Sequence, residues 1–245
     1  MARRNIYDPA FVRQLFDEMA ATYGIVNMIS SFGFARRWRR QCVGCMEITD
    51  GAAVVDLMTG MGELLHLIAS RTGPHGQIML LDISPAMCRV AAKHQLDFPY
   101  QVVEADVLQH GLPDESYDYV VSSFGLKTFN SEQLSELAGV VFRLLRPGGQ
   151  FAFLEISLPR SRLLRIPYYF YISYVIPLIG RIFLGNPENY RLLGEYTRAF
   201  RDCREAYDQF AKTGLEVEYR SFFFGCATAI VGRRSRVPPN HETQA

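Results

Sequence analysis

The sequence predicts an α/β fold of the Rossmann-like kind, with a mainly parallel central sheet covered by helices on both faces. Three observations predict it. Between residues 53 and 157, apolar runs of strand length alternate with segments of helical period. A turn containing Gly60 and Gly62 follows the first run. Asp82 and Asp106 then close the second and third runs, at the carboxyl edge where such sheets bind ligands.

Composition sets the limits. With 245 residues the chain is long enough for one substantial domain with added helices, read here as 1–236. A net charge of +1 offers no global field for nucleic acid, and no nucleic-acid partner is expected. The five cysteines have no regular spacing and read as reduced thiols of a cytoplasmic protein. Cys42 and Cys45 form a lone C-x-x-C without two further ligands, so no metal site is expected. The N-terminus lacks the apolar stretch of a signal peptide.

The elements follow in order. Residues 9–47 read as an N-terminal helical cap, with Phe11, Leu15, Phe16 and Met19 on one face. Arg36, Arg37, Arg39 and Arg40 then form a basic group. They read as a solvated helix face or, more sharply, as a contact for an anionic lipid surface. Residues 48–157 are the ligand-binding core. Its strands are Ala53–Leu57, Gln77–Asp82, Tyr100–Asp106, Tyr117–Ser123 and Gly149–Glu155. Its helices are Leu64–Ser70, Pro85–His94 and Gln133–Leu145, the last stopped by Arg146-Pro-Gly-Gly149. Residues 158–213 read as a helical, aromatic lid. Within it, Ile166 to Leu184 is apolar, but Pro167, Pro177 and Arg181 argue for a lid or buried helix over a membrane span. Residues 214–234 read as two closing strands with a turn at Arg220–Ser221, one of them antiparallel, and 237–245 as a disordered tail.

The strongest local motif is Asp56-Leu-Met-Thr-Gly60-Met-Gly62-Glu63. Gly60 and Gly62 permit a tight turn and close backbone approach to a ligand. A dinucleotide would need a third glycine, but Leu65 stands there, and its pyrophosphate would lie beside Asp56 and Glu63 with no nearby cation. S-adenosyl-L-methionine has no phosphate and carries a sulfonium and an ammonium, which the acidic loop favours. Asp82, 20 residues beyond Gly62, is placed to accept from both ribose hydroxyls, with Ile83 beside the adenine. Asp106 and Val107 are placed to hold and cover the adenine edge. Ser123, in Ser122-Ser123-Phe124-Gly125, borders the methionyl part.

Parts of the chain outside this motif resemble a family, the ubiquinone/menaquinone biosynthesis C-methyltransferases. The resemblance covers residues 11–234. It is carried by Phe16-Asp-Glu-Met-Ala-Ala-Thr-Tyr23, Asn27-Met28, Ser31-Phe-Gly33 and Trp38, and by Ser123-Phe-Gly-Leu126. It continues through Pro177-Leu-Ile-Gly180, Tyr190-Arg-Leu-Leu193, and Glu195 with Arg198. It implies a class I S-adenosylmethionine-dependent methyltransferase fold with Met61, Asp82, Asp106, Val107 and Ser123 at cofactor positions. It also implies Tyr23 near the active site and Tyr171 at an aromatic lid position. Three departures mark a divergent member. Gly24 stands where the family usually has Asp, Thr59-Gly-Met-Gly-Glu63 replaces Gly-Gly-Thr-Gly-Asp, and Lys127-Thr128 replaces Arg-Asn. The last pair sits at the substrate end and points to an altered acceptor, because Lys and Arg are not interchangeable.

The reading that follows is SN2 methyl transfer to carbon of a lipophilic quinol, phenol or polyketide-like acceptor. Lys127 (through a held water), Tyr171, Glu195 and His66 are the candidate bases. His66 also reads as an exposed helix residue, and Glu195 and Arg198 as a local pair. Two alternatives stay open. One is N- or O-methylation of a lipid head group or natural product. The other is a methyltransferase-like protein that keeps the cofactor but cyclises or binds its ligand. Peripheral membrane contact and a homodimer are both compatible with the sequence.

Overall fold

The computed structural model describes residues 5–183 and 185–236. The expected disordered tail, 237–245, lies outside the described residues, as does Leu184. The strands are β1 Ala53–Leu57, β2 Gln77–Asp82, β3 Gln101–Glu104, β4 Tyr117–Ser123, β5 Leu145–Ile156, β6 Leu215–Phe222 and β7 Ala227–Arg234. They form one sheet in the order β3-β2-β1-β4-β5-β7-β6. β7 is antiparallel to both of its neighbours, and the other pairings are parallel. The order reverses between β1 and β4. That topological switch opens a crevice at the carboxyl ends of the strands.

The helices are α1 Pro9–Met19, α2 Tyr23–Ser30, α3 Phe34–Val43, α4 Leu65–Thr72, α5 Pro85–Ala91, α6 Ser131–Leu144, α7 Arg162–Phe170, α8 Ile176–Ile182, α9 Pro187–Phe200 and α10 Arg204–Ala211. A π-helical turn, Tyr171–Val175, joins α7 to α8. The sheet core is apolar on both faces, as a parallel sheet must be. On one face Trp38, Cys42, Leu65 and Ile68 pack on Val54, Leu80 and Val121. On the other, Leu137, Val141 and Phe210 pack on Val55, Val120 and Phe153. A third cluster joins Leu15, Met19 and Val26 to Tyr190 and Tyr196, fastening the N-terminal helices to the lid.

Local chemistry sets the boundaries. Asp8 caps α1, Ser84 caps α5, and Asn130 and Gln133 form a reciprocal capping box on α6. Residues 146–149 were expected as a helix stop. They bulge within β5, where the pairing with β4 jumps between Tyr117 and Tyr119.

Three expectations are corrected. The closing hairpin turns at Phe223–Gly225, not at Arg220–Ser221. Phe223, Phe224 and Gly225 all take positive φ there, two of them without being turn-forming residue types. The lid over the site ends with α9, because α10 packs on α6 and covers the sheet. The helix beginning at Arg162 is a lid but not a buried one, since Leu163, Ile166 and Phe170 face solvent.

Candidate functional site

The crevice at the strand switch is built from the loop after β1. Gly60 and Gly62 hold φ of +60° and +80°, which brings the backbone close to whatever lies above it. Asp82 holds this loop in place. Its carboxylate accepts from the Gly60 N–H at 2.7 Å and from the Ser84 N–H at 2.9 Å. Each oxygen keeps a lone pair for a further donor. Burial pushes the Asp82 carboxyl up to about 6, against the pull of those two hydrogen bonds.

Asp56 is buried at the end of β1. Thr59 Oγ1 donates to its Oδ2 at 2.6 Å, while Oδ1 has no partner among the described residues. Burial pushes this carboxyl up to about 8, and Thr59 opposes the shift. A buried acceptor without a donor is costly, and a cationic ligand group would relieve it. Across the crevice, Asp106 accepts from the Leu108 N–H at 2.9 Å through one oxygen. Asp82, Ile83, Asp106, Val107, Gly60 and Ser123 all line the cleft, roofed by Val12 and Phe16 of α1. This is a carboxylate-rich, glycine-floored slot suited to a ribose, an adenine edge and a cation, so it fits S-adenosyl-L-methionine.

Three expected cofactor residues, Asp56, Met61 and Gly62, are not among those lining the cleft. The Met61 carbonyl pairs with His94 Nε2 at 2.7 Å, and Gly62 abuts the same imidazole. The Met61 side chain reaches toward Gly24, where an added Cβ would lie 3.2 Å from Met61 Cε. Two departures from the family pattern thus sit against each other, a long Met side chain over a glycine.

Beside the slot lies a second cavity of about 290 Å³. Phe34, Trp38, Ile156, Tyr168, Tyr171 and Ile172 supply apolar wall. Tyr23 and Phe124 border both spaces, so the slot and the chamber meet there. Burial, with Glu63 adding, pushes the Tyr23 phenol up and keeps it protonated. Lys127 reaches the chamber from the turn after β4. Its Nζ donates to Glu155 Oε1 at 2.8 Å and to the Phe124 carbonyl at 2.6 Å. Glu155, fully buried, also accepts from the Lys127 and Ile156 backbone N–H groups. The Tyr171 hydroxyl donates to the Ser30 carbonyl at 2.7 Å.

The structure therefore brings Lys127, Tyr171 and Tyr23 together but not the other candidates. Glu195 sits on the exposed outer face of α9, in a groove with Tyr169 and Arg198. Arg198 lies over the Tyr169 ring at 5.8 Å. His66 is exposed and stands edge-on to His94 at 5.2 Å. Among the described residues, no cluster of three His, Cys, Asp or Glu is placed to hold a metal.

Arg39 was grouped with its exposed neighbours, yet it is buried and reaches inward, so the acidic loop, expected to have no nearby cation, has one on Glu63. Its Nε donates to Ser123 Oγ at 3.1 Å, its Nη2 to Glu63 Oε1 at 3.1 Å, and its guanidinium lies 4.8 Å from the Phe124 ring centroid. The signal was present in the spacing. Ala35, Trp38, Arg39 and Cys42 share one helix face. Glu155 was also missed as a site residue, although a lone acid inside the apolar run Phe151–Ile156 marks a buried partner.

Comparison with known proteins agrees with this geometry. A model of the ubiE/COQ5 methyltransferase family matches residues 4–234. A ubiquinone/menaquinone biosynthesis C-methyltransferase from Geobacter sulfurreducens is 32% identical, over 91% of this chain and 88% of that protein. A demethylmenaquinone methyltransferase from Lactiplantibacillus plantarum is 31% identical, over 96% and 99%. Among solved structures, a phosphoethanolamine N-methyltransferase from Haemonchus contortus with bound S-adenosylhomocysteine shares the fold, with a TM-score of 0.62 and 13% identity. That match covers 90% of this chain and 60% of that one.

Proposed function

The chain belongs to the ubiE/COQ5 methyltransferase family and is an S-adenosylmethionine-dependent methyltransferase, and from that premise we propose that it methylates a ring carbon of a lipophilic quinol, phenol or polyketide-like acceptor. The observation that carries the proposal is the apolar chamber joined to the cofactor slot at Tyr23 and Phe124, with Lys127 reaching it. Apolar walls suit a hydrocarbon-bearing ring, and one charged side chain within them fixes its orientation. Relatives named for ubiquinone/menaquinone biosynthesis and for demethylmenaquinone support the same acceptor class.

When bound, S-adenosyl-L-methionine supplies an electrophilic methyl group on a sulfonium. The chain's own residues do the rest. Asp82 and Asp106 hold the nucleoside part, Asp56, buried beneath the cleft, adds negative charge that favours the cationic part, and the Asp82 link to Gly60 keeps the loop in its binding form. Lys127 spends two N–H groups on Glu155 and the Phe124 carbonyl, leaving the third for an acceptor hydroxyl. A cation there favours the phenolate, which is the better carbon nucleophile; the hydroxyl proton leaves to solvent before transfer, and the ring proton displaced by the methyl returns to that oxygen as the ring rearomatises. Tyr171 has committed its proton to Ser30, so toward the acceptor it is a hydrogen-bond acceptor. Trp38, Phe34 and Tyr168 exclude water and fix the ring, so alignment contributes much of the rate.

The test uses methyl-labelled cofactor with a prenylated naphthohydroquinone and, separately, phosphoethanolamine. The expected product carries label on a ring carbon and reoxidises in air to a quinone. An O-methyl ether could not reoxidise in this way. Label only in phosphoethanolamine, or an acceptor altered without label, would replace the proposal with N-methylation or cyclisation.

A further inference from the structure

The continuous helix Arg162–Ile182 is apolar on the wrong side for a soluble surface helix. Its inner face is occupied: Tyr168 and Tyr171 wall the chamber, and Gly180 lies against the Tyr190 ring. Its outer face carries Leu163, Ile166, Phe170, Tyr174, Leu178 and Ile182, each between 57 and 87% exposed. They recur at intervals of three and then four residues. In an α-helix a spacing of four drifts by about 40° per step. The π turn at Tyr171–Val175 takes an extra residue into one turn and offsets the drift, so the stripe stays on one side.

The stripe extends onto other elements. The Phe32 ring lies 6.2 Å from Tyr171 and is 77% exposed. Phe223 packs on Phe34 at 4.5 Å and on Phe224 at 5.5 Å. Phe32, Phe223 and Phe224 all hold positive φ, which a bulky side chain adopts at a cost of about 1–2 kcal/mol per residue. Glycine or asparagine would occupy these turns with less strain, so exposing the rings serves a purpose other than turning the chain. Phe32 and Phe223 also line the chamber, so its mouth opens on this face.

We propose that this face docks on an anionic lipid bilayer, with the Arg162–Ile182 helix lying in the plane of the interface and the chamber mouth opening into the leaflet. Charge selects the occupant. The described segments that build the face, 19–46, 156–183, 185–187 and 219–236, contain no aspartate or glutamate. Exposed Arg36 and Arg37 follow Phe34, exposed Arg162 and half-buried Arg165 begin α7, and exposed Arg181 ends α8. None of these five pairs with a carboxylate among the described residues. On α9, Glu195 shares a groove with Tyr174 of the stripe and with Arg191 and Arg198, and Glu188 pairs with Arg191. Apolar anchors with unpaired arginines whose stems can snorkel match an anionic headgroup layer. A second copy of the chain fits less well, because a two-fold contact would set this cationic rim against itself. A spanning helix would strip Tyr168, Tyr171 and Gly180 from the lid packing. The inference goes beyond the proposed reaction, because it concerns how a lipid-dissolved acceptor reaches the chamber.

The test is flotation of the purified full chain with phosphatidylcholine vesicles and with vesicles that also contain phosphatidylglycerol. The wild type is expected to float with the anionic vesicles and to be released by high salt. Ile166→Ser with Leu178→Ser, at residues outside both cavities, should abolish flotation while S-adenosylhomocysteine affinity stays unchanged. Each of R162Q and R181Q should weaken partition about fivefold. Turnover of a short-chain, water-soluble acceptor by the Ser variants separates loss of docking from failure of the proposed chemistry. A wild type that stays in solution, or Ser variants that float equally well, would overturn the inference. So would a dimer that the Ser variants dissociate, together with no vesicle binding.

Discussion

Lys127 Nζ lies 2.8 Å from Glu155 Oε1 at the junction of sheet and chamber, and the two side chains are 5% and 0% exposed. Removing one partner leaves the other charge buried and alone, which costs about 3–5 kcal/mol, whereas replacing both with apolar groups is often neutral. Lys127→Met should therefore lower urea-unfolding stability by that amount. Lys127→Met with Glu155→Leu should recover most of it. Neither variant should recover turnover, with kcat down about a hundredfold and cofactor affinity little changed. Recovery of activity in the double variant would show that the pair is structural only.

The slot carboxylates make the free enzyme pH-sensitive. Burial lifts Asp82 to about 6 and Asp56 to about 8, both above their ordinary 3.8. Between those values the folded state binds more protons than the unfolded state, so stability falls as pH rises. That stabilisation is full below 3.8 and is lost as pH climbs through about 6 and then about 8. Thermal melts of the free enzyme should decline across this window, and Asp56→Asn should flatten the upper part. S-adenosyl-L-methionine should raise the melting temperature most at the alkaline end, where its cationic groups meet ionised carboxylates. A pH-independent melt would contradict the assignment.

Arg39 ties Ser123, Glu63 and Phe124 together from α3. Arg39→Ala should weaken cofactor binding in calorimetry and destabilise the fold by about 3 kcal/mol, by stranding a half-buried Glu63. Arg39→Lys should restore only part of either property, because an ammonium cannot span two acceptors from two fixed nitrogens.

Gly24 and Met61 should behave as a coupled pair. Gly24→Asp alone must displace the Met61 terminus from 3.2 Å. Gly24→Asp combined with Met61→Thr should be more stable than the sum of the single changes predicts, by about 0.5–3 kcal/mol. Additive denaturation energies would show that the two departures are unrelated.

The sheet was legible because its strands are uninterrupted apolar runs ended by acids and glycines, and β4 falls on the expected residues 117–123. The crevice at the strand switch was legible for the same reason, since Asp82 and Asp106 must lie at strand ends whatever the lid does. The chamber was not, because its walls come from α2, α3, β5, α7 and the closing hairpin, which only the fold brings together. The hairpin turn was missed because Phe223 and Phe224 carry no turn chemistry. Glu195 matched a family position, but nothing in its spacing showed that it faces away from both cavities.

The most direct test is a crystal structure of the enzyme with S-adenosylhomocysteine and a prenylated hydroquinone. The nucleoside should lie over Gly60 with its ribose at Asp82. The ring should occupy the chamber between Trp38 and Tyr168, with one hydroxyl on Lys127 Nζ. A hydroquinone seated elsewhere, for instance in the groove between Tyr169 and Glu195, with the chamber empty, would contradict the account.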